Sequence, residues 1–183
     1  MPLTKIQSLG ITDGTIVNAD INASAAIAST KLSGVGDNTP AFQASKSASQ
    51  SLTSGTAAKV QFNTEDLDTN SNYDNATNYR FTPTTSGKYF VYLQLQLNAT
   101  ATNAMQEATA LIYKNGSAVS VNTIGNYANN TFNAIGVHAY AIVTLNGSTD
   151  YVEAYARIYG SGTLSVYASG LENVFGAYKL IGV

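Results

Sequence analysis

The sequence predicts an all-β sandwich, and three observations carry that prediction. The first is strict period-two patterning. From Tyr89 the odd positions Tyr89, Val91, Leu93, Leu95 and Leu97 form an apolar face, while Phe90, Tyr92, Gln94 and Gln96 form the other. One face of such a strand belongs against a sheet core. The second is turn chemistry: Lys114-Asn115-Gly116-Ser117 and Leu145-Asn146-Gly147-Ser148 carry Asn-Gly, the strongest short hairpin signal. The third is spacing. Strands are expected over 41–48, 57–63, 78–82, 88–98, 107–114, 117–122, 132–145, 149–159, 163–168 and 173–182. Short strands with regular turn punctuation are the pattern of a sandwich or jelly roll.

The strand from Tyr89 has a second face that is aromatic at one end and amide-bearing at the other. It is too apolar for plain solvation and too polar for a second core, which suits an interface between subunits. The segment from Phe132 to Leu145 repeats the pattern. Ile135, Val137, Ala139, Ala141, Val143 and Leu145 are expected in the core, and Gly136, His138, Tyr140 and Ile142 on a second face that does not look solvated. In Tyr151–Tyr159, the small apolar Val152, Ala154, Ala156 and Ile158 face the core. Tyr151, Glu153, Tyr155, Arg157 and Tyr159 form an aromatic and charged ladder that faces solvent or a partner.

Residues 1–36 have a different rhythm. Ile6, Ile11, Ile16, Ile21, Ile27 and Leu32 recur at steps of five or six, which fits neither helix nor single strand. A single segment cannot bury such a row, but three copies winding about one axis can. The expectation is a trimeric stalk or docking arm; the alternative is a disordered linker. Ala-rich residues 22–32 suit one short helix. Gly34-Val-Gly-Asp-Asn-Thr-Pro40 is a hinge of turn residues. It divides the chain into a 1–36 arm and a 37–183 head.

Composition narrows the function. Of the 183 residues only 11% are charged, against about 25% for typical soluble domains. Polar chemistry therefore falls to Ser, Thr, Asn, Gln and Tyr, a balance common in extracellular β-proteins whose neighbours hydrogen-bond across interfaces. A net charge of −2 leaves no basic footprint for nucleic acid. No apolar run approaches 18 residues, so no membrane insertion is expected. No basic-then-apolar segment opens the sequence, so no secretory signal is expected either. The absence of cysteine excludes disulfides, thiolate metal sites and a cysteine nucleophile. Asn-x-Ser/Thr sequons such as those at Asn75, Asn98, Asn115, Asn129 and Asn146 are read as chance matches in an Asn/Thr/Ser-rich chain.

Catalysis finds little support. His138 is the only histidine and lies among small residues in an expected strand, so a structural or interface role is the better reading. No Gly-x-Ser-x-Gly elbow and no phosphate loop is present. Glycoside hydrolysis generally needs two carboxyl groups about 5–9.5 Å apart, and the one cluster of acids here, four of the eleven, crowds a single segment, Thr64–Asp74. Within it Asp66, Asp68 and Asn70 have the alternating spacing of a calcium loop. Ser71 stands where the turn glycine belongs, however, and Thr77 where the bidentate Glu should be. A solvated loop is expected, with Asp66 and Asp68 as weak calcium candidates and no cofactor. Twelve tyrosines are an excess. Tyr packs well in sheets, and with Asn and Ser it also makes adaptable binding surfaces that stack on sugars. Tyr127, Tyr155 and Tyr159 are the candidates for a receptor-facing patch.

Three motifs together resemble a known family. Phe81-Thr-Pro-Thr-Thr-Ser-Gly-Lys-Tyr-Phe90, the terminal Val174-Phe-Gly-Ala-Tyr-Lys-Leu-Ile181, and Ala41-Phe42-Gln43-Ala44 look like the globular head of the complement C-one-q family, whose fold is shared with tumour necrosis factor. The likeness covers residues 40–183, and the chain departs from it at Gly176 and Ala177, where the family carries Ser and Gly. The resemblance implies a ten-stranded jelly roll that assembles as a compact homotrimer and acts as an adhesive head on a stalk. Phe90, Tyr92, Gln94, His138 and Tyr140 are then expected at the trimer interface. Some family members bind calcium near the trimer axis. The arm segment Ile11-Thr-Asp-Gly-Thr-Ile-Val-Asn-Ala-Asp-Ile21 resembles segments in fibre and appendage proteins of tailed bacteriophages. Together the two resemblances imply a non-enzymatic virion structural protein, assembled in the host cytoplasm and exposed on the particle. It would be a short trimeric fibre or spike whose arm docks on other virion proteins and whose head binds a host-surface glycan or protein. A capsid decoration protein is the alternative, and a polysaccharide-degrading spike a weaker one.

Overall fold

The computed structural model describes residues 38–101, 104–125, 132–168 and 170–181. The six apolar arm positions and Tyr127 lie outside the described residues. Among those described there are thirteen strands: β1 Ala41–Ser45, β2 Gln50–Leu52, β3 Ala58–Lys59, β4 Thr64–Asp68, β5 Tyr73–Asp74, β6 Arg80–Phe81, β7 Gly87–Ala99, β8 Met105–Lys114, β9 Ser117–Gly125, β10 Ala134–Leu145, β11 Val152–Gly160, β12 Leu164–Val166 and β13 Val174–Lys179. Each of the ten expected strands has a counterpart. The three that were not expected, β2, β4 and β5, are short and lack a clean apolar alternation.

The strands form two antiparallel sheets. In the seven-stranded sheet β7 is central. Along one edge it pairs with β10 over its full length, from Gly87↔Leu145 to Asn98↔Ala134. Along the other edge it pairs with two strands in succession, β13 against Tyr89–Gln94 and β12 against Leu97–Ala99. β1 and then β4 continue outward from β13, and β2 continues from β12. The six-stranded sheet runs β5-β6-β11-β8-β9, with β3 also on β11. Pro83 and Gly87 bracket the turn into β7, whose odd-numbered positions from Tyr89 onward are all buried, as alternation requires.

Between the sheets an aromatic cluster fills one end of the core. Phe42 stacks on Phe81 and Tyr73 at centroid distances of 4.5 and 4.6 Å and meets the edge of Phe175 at 5.1 Å. β1 and β13 belong to one sheet and β5 and β6 to the other, so Phe42 ties the two sheets together. Leucines from β7, with Ile112 and Ile158 from the facing sheet, fill the remainder.

The two Asn-Gly pairs have different outcomes. Asn115-Gly116 is the tight hairpin expected between β8 and β9, with both residues at positive φ (49° and 80°). Asn146-Gly147 is not a hairpin: β10 and β11 lie in different sheets, so the loop crosses between them. Asn146 Oδ1 organises that crossing by accepting from the amides of Ser148, Thr149 and Asp150. Gly147, at φ 74°, brings its backbone so close to Ser86 that a Cβ would lie 2.3 Å from the Ser86 nitrogen.

The acidic segment also departs from expectation. Thr64–Asp68 is not a solvated loop but the edge strand of the seven-stranded sheet, paired to β1 through a bulge at Gln43/Ala44. Its charges sit where an unpaired sheet edge benefits from them, since a charged and bulged edge resists pairing with another chain.

Candidate functional site

The outer face of the seven-stranded sheet gathers the predicted interface residues. Cross-strand register places Tyr140, Tyr92, Gly176, Gln43 and Leu67 in one row, and Ile142, Phe90, Tyr178 and Ala41 in the next. His138 and Gln94 lie opposite each other one row further on. Phe90 is the hub, with the Tyr140, Tyr92 and Tyr178 rings at 6.1, 6.3 and 5.6 Å. Tyr140 is 58% exposed, Ile142 65% and Leu67 50%. Tyr140 and Ile142 lie beside Phe90 and form one exposed apolar patch, while Leu67 lies at the far edge of the same sheet.

Gly176 shapes this face. The phenol end of Tyr92 lies over it, and a Cβ there would come 2.2 Å from the ring and its hydroxyl. Tyr92 occupies the space that a side chain at position 176 would need. The Tyr92 hydroxyl donates to Gln43 Oε1 at 3.0 Å. Burial first, then the neighbouring Tyr178 and Asp66, raises its pKa, so it stays a neutral donor. Gln94 Nε2 donates to the Leu171 carbonyl at 3.4 Å.

All five interface candidates, Phe90, Tyr92, Gln94, His138 and Tyr140, thus share one face. The same face holds Ile142, Tyr178, Gln43 and Leu67. Ile142 was legible from its parity in β10. The others became neighbours only through strand pairing.

The outer face of the six-stranded sheet is chemically different. Lys59 pairs with the buried Glu153 at 2.5 Å, and Arg157 with the buried Glu107 at 2.6 Å, where Thr109 also donates to the carboxylate. Tyr155 stacks on Tyr113 at 4.1 Å, and Arg157 lies over Tyr159 at 5.3 Å. Tyr155 and Tyr159 share this face, but Tyr155 is half-buried in its stack, and of the two Tyr159 is the more exposed. The two buried carboxylates each hold a cation, an arrangement that organises the sheet.

Asp66 and Asp68 are engaged within the fold. Asp66 Oδ1 accepts from the Ser45 hydroxyl at 2.9 Å. The oxygens of Asp68 accept from the amides of Asn70 and Tyr73 at 3.3 and 2.8 Å, closing the turn after β4. Among the described residues no three acidic or histidine side chains converge as a metal site. Asp74 caps the next turn: its oxygens take the amides of Thr77, Ala76 and Asn78 and the Asn78 side chain. Those bonds, Thr77 foremost, hold its carboxyl down to about 2.

No protein-family model and no curated protein matches the sequence. Solved structures match in fold. Eiger TNF from S. frugiperda superposes with a TM-score of 0.60 at 11% identity, over 78% of this chain and 93% of that one. Murine APRIL superposes with a TM-score of 0.55, also at 11% identity, over 76% of this chain and 98% of that one. The described body is therefore an all-β jelly roll of the tumour-necrosis-factor type, built from two antiparallel sheets.

Proposed function

We propose that this chain is a homotrimeric, non-enzymatic binding head: a short fibre or spike of a tailed bacteriophage, exposed on the virion and facing a host-surface glycan or protein. The observation that carries the reading is the aromatic outer face of the seven-stranded sheet. Phe90, Tyr92, Tyr140, Ile142 and Tyr178 form one surface, with Gln43, Gln94 and His138 supplying hydrogen-bonding groups beside it. An aromatic centre with polar groups around it, free of paired charges, is the composition of a protein–protein contact.

A stable assembly of this kind buries roughly 1,200–2,000 Å² per contact, which requires most of such a face. The likeness of the arm to phage appendage segments supports a particle location, and three identical heads supply avidity of about 10²–10⁴ where geometry permits simultaneous contact. The acidic side chains described above are committed to ion pairs, turns and, for Asp66, the Ser45 hydroxyl, which fits binding rather than turnover.

Multi-angle light scattering on the full chain tests the assembly. The expected mass is three times that of one chain. A soluble monomer at micromolar concentration overturns it. Gold-labelled antibody against the chain should decorate the particle surface, and label found only on unassembled protein overturns the virion role.

A further inference from the structure

An open cleft of about 390 Å³ lies on the other sheet, away from the aromatic face. It is lined by Ser71, Asn72, Asn78, Arg80, Thr82 and Thr84, with Asp74 at its wall. That volume falls in the roughly 300–1,000 Å³ range of small-molecule sites. Its hydroxyls and amides suit a polyhydroxylated ligand better than an apolar one.

Arg80 is the informative member. Its guanidinium rests over the Tyr151 ring at 4.5 Å, which fixes its plane. Among the described residues no carboxylate pairs with it. Asp74 is its cross-strand partner in the register of β5 and β6. Yet both Asp74 oxygens turn away onto the amides of residues 76–78. Glu153, its neighbour in β11, is taken by Lys59. Among the described residues, the two acids beside Arg80 across the sheet, Asp74 and Glu153, are thus held elsewhere. A planar, pre-oriented guanidinium of this kind matches a carboxylate through two parallel hydrogen bonds. The Ser71 and Thr82 hydroxyls, which bond to no other described residue, lie in the same lining to meet ring hydroxyls.

We propose that this cleft binds a carboxylate-bearing saccharide, with Arg80 engaging the carboxylate. The proposal deepens the reading of the head as a binding module and rests on it. The probes are digalacturonate and sialyllactose, each tested against its counterpart with the carboxyl group reduced to the alcohol. Calorimetry on the full chain is the readout. At least one acid form should bind about tenfold or more tightly than its reduced form, the usual scale of a charge-assisted hydrogen bond. Arg80→Gln should abolish that preference, while Lys88→Gln, which removes an exposed charge outside the cleft, should keep it. Thr82→Val, a near-isosteric change, serves if Arg80→Gln fails to fold, and should weaken binding of the acid form severalfold. Equal binding of acid and reduced forms, no binding by either probe, or full retention in the Arg80→Gln or the folded Thr82→Val chain overturns the proposal. Light scattering on the same samples separates the two readings. Trimers without carboxylate preference overturn this inference alone; monomers that show the preference overturn the trimer alone.

Discussion

Gly176→Ala offers a sign test of how the outer face is built. Gly176 lies in β13 at ordinary strand geometry, without the positive φ that demands glycine. On backbone grounds alone, alanine there should stabilise by about 0.4–1 kcal/mol, because it restricts the unfolded chain. The structure reverses that expectation. The new Cβ would lie 2.2 Å from the Tyr92 ring and hydroxyl, so the ring has to leave. Its departure gives up the hydroxyl bond to Gln43, worth about 0.5–1.5 kcal/mol net. It also gives up the contact with Phe90, worth another ~0.5–1.5 kcal/mol. Offset by the backbone gain, the net cost is about 1–2 kcal/mol, rising if the ring finds no relaxed position. Urea unfolding at one fixed protomer concentration measures it, because association makes stability concentration-dependent. The decisive arm is the same substitution in a Tyr92→Ala background, where the obstacle is gone. There Gly176→Ala should be neutral or stabilising, which gives a coupling of about 1–3 kcal/mol in the double-mutant cycle. A Gly176→Ala chain as stable as wild type, or equal losses in the two backgrounds, refutes the placement of Tyr92 over Gly176.

Three further outcomes follow from the same geometry. Gln94→Glu puts a charge beside His138 on the proposed contact face, once per subunit; trimers should be lost in light scattering, and persistence of the trimer mass places the contact elsewhere. Phe42→Ala removes the ring that joins the sheets and should cost about 3–5 kcal/mol in urea unfolding; a loss below 1 kcal/mol contradicts the aromatic cluster. Asp74 has a folded pKa of about 2, below its ordinary 3.8, so the stability it lends is present above the ordinary value and disappears as the pH falls through the folded one. The thermal midpoints of wild type and Asp74→Asn should therefore differ at pH 5 and converge toward pH 2; a gap that stays constant over that range removes the turn-capping role.

What was legible in the sequence was local. Side chains alternate along a strand every two residues, so the buried faces of β7, β10 and β11 could be read residue by residue, and Val137, Ala139, Val152, Ala154 and Ile158 are buried as their parity requires. The Asn115-Gly116 turn was legible because its signal and its geometry lie within four residues. The candidate contact face was legible in part for the same reason: Phe90, Tyr92 and Gln94 alternate in one strand, His138 and Tyr140 in another, and both strands showed a second face unsuited to water. Thr64–Asp68 was not recognised as a strand, because an edge strand needs only one partner and no apolar alternation.

Tertiary pairing decided the rest. Nothing near Asn146 states that the strands on either side enter different sheets, and nothing near β7 states that one of its edges is shared between β12 and β13. Gly176 and Tyr92 are 84 positions apart in the chain and became neighbours only through the β7–β13 register. Arg80 has no carboxylate partner among the described residues for a comparable reason: Asp74 and Glu153 flank it across the sheet, and both bond elsewhere. Local alternation sets which side of a strand is apolar at little entropic cost. Which strand lies beside it depends on closing long loops and on the packing of the whole sandwich, and no short window of residues contains that information.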